Sequence, residues 1–146
     1  NVLSVDQTNL VYRAAAAVLA ESRRKIGLDI RLAKRIPMGA GLGGGSSDAA
    51  ATILGINRLL NLGWSAVRMA KIGQELGSDV PFFFHAPTAV IAGRGEQVRA
   101  IHVADSRWAV RVNPGFPVET KWAYQQLSAT RQGVVPLSQQ CTQLET

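Results

Sequence analysis

Cysteine is almost absent from this chain of 146 residues, which contains only Cys141. A single cysteine cannot form an internal disulfide or provide a cysteine-based metal site, and we therefore expect a cytosolic protein. No apolar run approaches the roughly 20 residues that a membrane-spanning helix needs, and no signal-peptide pattern is present. We expect no membrane partner. The two histidines, His85 and His102, have no partner at metal-ligand spacing, so we interpret them as structural.

Acidic residues are also scarce, since 10 Asp and Glu face 16 Lys and Arg and leave a net charge of +6. This balance favours an anionic partner such as nucleic acid, acidic lipid or a phosphorylated small molecule. The basic residues are scattered, and only 6% of the chain is aromatic. No aromatic residues interleave with the basic ones, which argues against nucleic acid. The small cluster at residues 23–25 is interpreted as the solvated end of a helix.

The spacing of apolar residues and of helix caps predicts the order of elements along the chain. Thr8 and Asn9 precede the first apolar face at helical spacing, and an alternating run that follows is typical of a strand with one wet face. The predicted helices cover residues 9–24, 49–62 and 65–76, and another begins at 121–127. Gly63 would end the second of them, and Ser65 would cap the third. The predicted strands cover 29–36, 88–92, 96–103 and 108–112. A domain boundary is predicted near residue 114.

A glycine-rich loop at residues 39–48 lies between the predicted strand 29–36 and the next helix. Glycines let backbone N–H groups approach an anion without intervening Cβ atoms. The positive end of the following helix then favours a phosphate. The alternative is a flexible linker whose serines only cap the helix, and five glycines between two ordered elements disfavour it.

Two common phosphate loops fit this segment poorly. The P-loop requires a lysine that is missing here. Gly39, Gly41 and Gly44 satisfy the Gly-x-Gly-x-x-Gly spacing of a dinucleotide fold, but a loop this rich in glycine easily does so by chance. The expected acidic residue about 20 positions downstream is also missing, which makes the dinucleotide interpretation weak.

Residues 37–50, Pro-Met-Gly-Ala-Gly-Leu-Gly-Gly-Gly-Ser-Ser-Asp-Ala-Ala, closely resemble the second signature motif of the galactokinase, homoserine kinase, mevalonate kinase and phosphomevalonate kinase (GHMP) superfamily. Within it, the chain looks most like the branch that phosphorylates a cytidine-diphosphate-linked methylerythritol for isoprenoid synthesis. The Gly-Ser-Asp-Val-Pro-Phe segment at 77–82 matches that branch. The turn at 93–96 and the stretch 113–120 fit in order and spacing.

The resemblance implies an α+β, two-domain GHMP-kinase-like fold, with an N-terminal domain like the second domain of ribosomal protein S5. Residues 1–113 would form the nucleotide-binding domain, and residues 114–146 would begin a substrate-side domain. The family's Lys-Leu-Asn segment and its late Gly-Ser-Gly-type loop do not occur in this chain. We therefore expect it to be a central piece of a longer protein, inactive alone.

The resemblance also implies the roles of individual residues. Asp79 would be the catalytic carboxylate and would contact the substrate, whereas the residue type alone favours a turn cap. Thr120 and Tyr124 would contact the substrate, with the Tyr124 ring stacked on the cytosine or, alternatively, packed in the core. The residues implied to bind ATP are Asn9, Lys34, Pro37, Met38, Gly39, Ala40, Gly41, Leu42, Gly43, Gly44, Gly45, Ser46 and Ser47.

Magnesium is the second implied cofactor, with Ser47 as its possible ligand and no metal site certain. Asp48 differs from the Asn or Ala that many relatives carry, and beside a phosphate it would be repelled unless a cation or helix N–H pairs with it. Asn9 and Lys34 have equally plausible simpler roles, as a helix cap and as an exposed strand lysine.

The function implied is transfer of the ATP γ-phosphate to the 2-hydroxyl of the cytidine-diphosphate-linked methylerythritol. Two alternatives stay open at this point. One is a homoserine- or mevalonate-type kinase with the same chemistry on another alcohol. The other is a nucleotide-binding module without turnover.

Overall fold

The computed structural model describes residues 6–93, 95, 97–103, 108–112 and 120–130. Within these ranges the chain forms four α-helices, one short 3-10 helix and one antiparallel β-hairpin. The α-helices are α1 (Leu10–Ser22), α2 (Gly44–Leu59), α3 (Ala66–Leu76) and α4 (Thr120–Thr130), the 3-10 helix is Pro81–Phe84, and the strands are β1 (Ala89–Ala92) and β2 (Gln97–Ala100). The predicted α+β class is confirmed, and no helix in the described ranges could cross a membrane.

Helix α1 begins where the cap residue predicts. The Asn9 side chain accepts a hydrogen bond from the Val11 backbone N–H at 2.9 Å, which satisfies one of the free donors of the first turn. The helix ends at Ser22, two residues before its predicted end, because Arg23 adopts a left-handed conformation with φ of +54°. Its N–H donates to Ala20 and that of Arg24 to Leu19, which closes the helix before the basic cluster.

Helix α2 starts earlier than predicted, at Gly44 instead of residue 49. The prediction treated the whole of residues 39–48 as loop because glycine is a poor helix former. Gly43, with φ of +63°, instead forms the N-cap, and Gly44 and Gly45 occupy the first turn. Burial of the following residues against α1 supplies the packing energy that outweighs the low propensity of two glycines.

The core lies between α1, α2 and α3. Ile53 and Val18 are completely buried where α2 crosses α1, and Val80 is completely buried beside α3. The remaining buried members of this core are Ala14, Ala15, Ala49, Ala50, Ile56, Met69 and Ile72. Four of these residues are alanines, which let the helix backbones approach closely and fix the position of the N-terminal end of α2.

The connection from α2 to α3 depends on a buried polar residue. The side chain of Asn57 accepts a hydrogen bond from the Trp64 N–H at 3.0 Å and donates to the Trp64 carbonyl at 3.3 Å. Helix α3 then begins at its predicted cap, because Ser65 Oγ accepts from the Arg68 N–H. Helix α2 was predicted to end directly before Gly63. It ends at Leu59 instead, so Gly63 lies in the connection to α3.

Strands β1 and β2 pair in the register Ala89 with Ala100 and Ala92 with Gln97, as an antiparallel hairpin close to its predicted position. Two other predicted strands, at 29–36 and 108–112, do not form, because neither segment has a ladder partner in the described ranges. An alternating pattern indicates a face, but a strand also needs a neighbouring strand. The predicted boundary near residue 114 lies outside the described residues.

Candidate functional site

A cleft of about 360 Å³ lies at the N-terminal end of α2. The glycine loop forms one side, and the start of α1 together with Lys34 forms the other. The residues that line it are Thr8, Asn9, Leu10, Val11, Leu32, Lys34, Pro37, Met38, Gly39, Ala40, Gly41, Leu42, Gly43, Gly44, Gly45, Ser46 and Asp48. Every residue that the resemblance assigned to ATP is in this lining except Ser47.

The backbone at the start of α2 provides free hydrogen-bond donors to the cleft. The first N–H that is used inside the helix is that of Ser47, which donates to the Gly43 carbonyl at 2.8 Å. The N–H groups of residues 44–46 therefore have no partner in the helix, and none among the other described residues. Three unpaired donors at the positive end of a 16-residue helix favour an anion in the cleft.

Lys34 and Asp48 form an ion pair within this cleft. The Lys34 ammonium donates a hydrogen bond to Asp48 Oδ2, and the two side chains are only 18% and 24% exposed. The ammonium also lies 3.4 Å from where a Cβ on Gly44 would be, so it is beside the free N–H groups. Lys34 is therefore neither a freely solvated lysine nor part of a strand, and it neutralises the carboxylate that would otherwise repel a phosphate.

The two serines of the loop lie in different surroundings. Ser46 lines the cleft, whereas the Ser47 hydroxyl donates to the Gly44 carbonyl at 2.9 Å and is not part of the lining. Ser46 and Asp48 are thus the side-chain oxygens of α2 that the structure places in the cleft. The possible contact of Ser47 with magnesium stays a prediction.

Asp79 lies in the turn between α3 and the 3-10 helix, where its side chain is exposed. It is not part of the cleft lining, but its segment is connected to the loop. A Cβ on Gly43 would lie 3.3 Å from the ring of Phe83, the third residue of the 3-10 helix. The segment that follows Asp79 therefore packs directly on the glycine loop, whereas contact of the Asp79 carboxylate with the substrate stays a prediction.

The predicted substrate residues of α4 are described less completely. Helix α4 begins at Thr120, whose side chain lies outside the description, and the Tyr124 side chain is 67% exposed. Tyr124 is therefore not packed in a core among the described residues. The structure does not bring Tyr124 to the cleft lining, and its contact with the substrate stays a prediction.

Two features of the site were not found from the sequence. One is the pairing of Asp48 with Lys34, which are 14 positions apart and give no local signal. The other is the contact of Phe83 with the loop at Gly43. In the sequence, Phe83 is only one residue of a short apolar run. Each contact depends on how α2 is oriented against the preceding and following segments.

The N-terminal domain family of GHMP kinases matches residues 9–86, more than half of the chain, and this range includes every residue of the cleft lining except Thr8. The chain belongs to the GHMP kinase family. The match covers α1, α2, α3 and the 3-10 helix, the elements that carry the core.

Curated relatives of this GHMP kinase chain are named 4-diphosphocytidyl-2-C-methyl-D-erythritol kinase. The protein of Geobacter sp. (strain M21) is 49% identical over 84% of this chain and 44% of its own length. That of Geobacter metallireducens is 51% identical over 84% of this chain and 43% of its own length. That of Thermodesulfovibrio yellowstonii is 41% identical over 87% of this chain and 45% of its own length.

A solved structure of a 4-(cytidine 5'-diphospho)-2C-methyl-D-erythritol kinase matches with a TM-score of 0.68 and 35% identity. The match covers 85% of this chain and 45% of the solved one. The chain thus spans less than half of the length of these relatives, and the predicted resemblance to this branch of the GHMP kinases is confirmed.

The pair of Lys34 and Asp48 predicts a measurable coupling in stability. In a double-mutant cycle of Lys34→Met and Asp48→Asn in the full-length protein, we expect a coupling of about 0.5–1 kcal/mol, because both groups are largely withdrawn from solvent. The free energy of unfolding in urea measures it. The control is the pair of Glu21 and Arg68, which are 2.9 Å apart but 52% and 49% exposed. Equal coupling in the two cycles, at low and at high salt, would contradict the prediction.

Proposed function

We propose that the full-length protein transfers the γ-phosphate of ATP to the 2-hydroxyl of a cytidine-diphosphate-linked methylerythritol. The observation that carries the proposal is the cleft at the start of α2, where three unpaired N–H groups and the Lys34 ammonium face one small space. The names of the relatives support this alcohol as the substrate.

The residues of the cleft suit the phosphates of ATP. Phosphoryl transfer needs mainly positioning and charge stabilisation, because little covalent chemistry is left to the protein. The N–H groups of residues 44–46 would hold phosphate oxygens, and the Lys34 ammonium has two donors beyond the one that it gives to Asp48. These groups are held by a helix whose next turns are buried, so they need no rearrangement when charge develops.

The residues also suit a magnesium ion that arrives with the nucleotide. Magnesium prefers oxygen ligands and binds through few protein groups when phosphates supply the others. Ser46 and Asp48 offer such oxygens, and the described residues contain no cluster of three acidic, histidine or cysteine groups that would hold a metal by itself. When bound, the ion would neutralise charge on the transferred phosphate.

Asp79 would act on the acceptor alcohol. Its carboxylate has no hydrogen bond to another described residue, so both oxygens are available to orient a hydroxyl and to accept its proton. The exposed position suits a group that must meet a second substrate from solvent. Tyr124 would stack on the cytosine ring and Thr120 would contact the substrate, both from α4.

The domain boundary and the cellular location stay predictions. The division into residues 1–113 and 114–146 is consistent with a family match that ends at residue 86, but the boundary itself is untested. A cytosolic location is supported by the single cysteine of the sequence.

If the glycine loop binds ATP, substitution of two glycines that share the same φ should affect ATP affinity differently. Gly41 and Gly63 both have φ of +67° and open space around a Cβ, but only Gly41 lines the cleft. Gly41→Ala and Gly63→Ala should each cost about 1 kcal/mol of stability, because a Cβ is strained at this φ. Only Gly41→Ala should raise the dissociation constant of ATP, roughly tenfold, because its methyl group obstructs the phosphates. Calorimetry on both variants measures this, and equal ATP binding would overturn the role of the loop.

The choice of alcohol is tested by turnover. We expect the full-length protein to phosphorylate the cytidine-diphosphate-linked methylerythritol with ATP and to leave homoserine and mevalonate unreacted. Steady-state assays on the three alcohols decide this. Preference for either of the others would assign the protein to another GHMP branch, and ATP binding without turnover on any of them would support a binding module.

The role of Asp79 predicts a loss in turnover without a loss in ATP affinity. Asp79→Asn keeps the size of the side chain but removes its charge and basicity, so kcat should fall roughly a hundredfold or more. A turn cap predicts near-normal kcat, because Asn caps turns about as well as Asp. Asp29→Asn, on another exposed acid, is the matched control and should leave kcat unchanged. Near-normal kcat in Asp79→Asn would show that the catalytic role is wrong.

A further inference from the structure

The turn of the β-hairpin contacts the loop that carries Asp79. A Cβ built on Gly95 would lie 2.3 Å from the carbonyl oxygen of Ser78 and 2.9 Å from its carbonyl carbon and its Cβ. Ser78 immediately precedes Asp79. Contacts this short with backbone atoms cannot be relieved by turning a side chain, so no larger residue fits at Gly95 unless the hairpin or the loop moves.

The backbone of Gly95 is also one that other residues avoid. Its φ is +109°, and its N–H donates to the Ala92 carbonyl at 3.3 Å, which closes the turn between β1 and β2. The hairpin therefore holds Gly95 in place from its own side. Glycine at this position serves both the turn and the close approach to Ser78.

The other side of the Asp79 loop is held by α3. Val80 is completely buried, and its Cγ1 lies 2.7 Å from where a Cβ on Gly73 would be. The Val80 N–H donates to the Gly77 carbonyl at 3.2 Å. Ser78 and Asp79 thus lie between a packed helix on one side and the hairpin turn on the other.

We propose that Gly95 is a positioning residue for the reaction, because its contact with Ser78 fixes the backbone from which the Asp79 carboxylate reaches the substrate. The proposal rests on the proposed function of Asp79. Gly95 touches neither ATP nor the alcohol in this scheme. It limits the positions that the Asp79 carboxylate can occupy. This matters because a general base misplaced by about 1 Å loses much of its effect on the rate.

The experiment compares Gly95→Ala with Gly63→Ala in the full-length protein. Gly63 also has a positive φ, but a Cβ there meets nothing within 4 Å, so it controls for backbone strain. Two measurements are made on each variant. Hydrogen exchange reports on the amides of residues 77–85, and steady-state kinetics give kcat and the KM for ATP.

We expect faster exchange at residues 77–85 and a fall in kcat of roughly tenfold or more in Gly95→Ala, as a misplacement of the base predicts. The KM for ATP should stay near normal, because the cleft at α2 is not altered. Gly63→Ala should lose stability only. If Gly95→Ala does not fold, Ser78→Gly tests the same contact, because it loosens the Ser78 backbone without a steric clash. It should also speed up the exchange at residues 77–85 and lower kcat, but by less than Gly95→Ala.

Unchanged exchange at residues 77–85, or unchanged kcat with faster exchange, would overturn the proposal. A rise in the KM for ATP as large as the fall in kcat would also overturn it, because the effect would then reach the nucleotide cleft. The proposed role of Asp79 fails separately, when Asp79→Asn keeps its turnover while the exchange of residues 77–85 still responds to Gly95→Ala.

Discussion

The burial of α2 against α1 and α3 is the constraint on which the rest of the site depends. An N-terminal helix end with two glycines in its first turn has little intrinsic stability. The completely buried Ile53 and Ala49 anchor the turns that follow, so the end of the helix is ordered although its N–H groups have no partners. The N-terminal end of α2 can therefore keep its N–H groups free for a ligand while the protein stays folded.

The same helix end determines where charge can be placed. A lysine beside the positive end of a helix is unfavourable by itself, because the ammonium and the helix dipole repel. Asp48, one turn further along α2, pairs with Lys34 and offsets that repulsion. The ammonium can then lie next to the donors of residues 44–46 and contribute to the attraction for an anion. The acid that seemed misplaced beside a phosphate thus has a structural reason to be there.

Three glycines allow neighbouring segments of this protein to pack closely against their backbone, because they have no side chain. At Gly43 the ring of Phe83 approaches the loop, and at Gly73 the buried Val80 approaches α3. At Gly95 the hairpin approaches the backbone of Ser78. The three contacts connect the glycine loop, the Asp79 segment and the hairpin into one arrangement, although these parts are distant in the sequence.

The sequence by itself determined the local features and the family. The cap residues Asn9 and Ser65 predicted the starts of two helices, because capping depends on a side chain and the next three N–H groups only. The glycine loop and the Gly-Ser-Asp-Val-Pro-Phe motif predicted the GHMP family, because each motif is contiguous. Only the tertiary structure decided what depends on distant partners: the pairing of Lys34 with Asp48, the choice of Ser46 over Ser47 for the cleft, and the failure of residues 29–36 to form a strand. A hydrophobic pattern records which face of a segment is apolar, but it contains no information about which other segment will lie against that face.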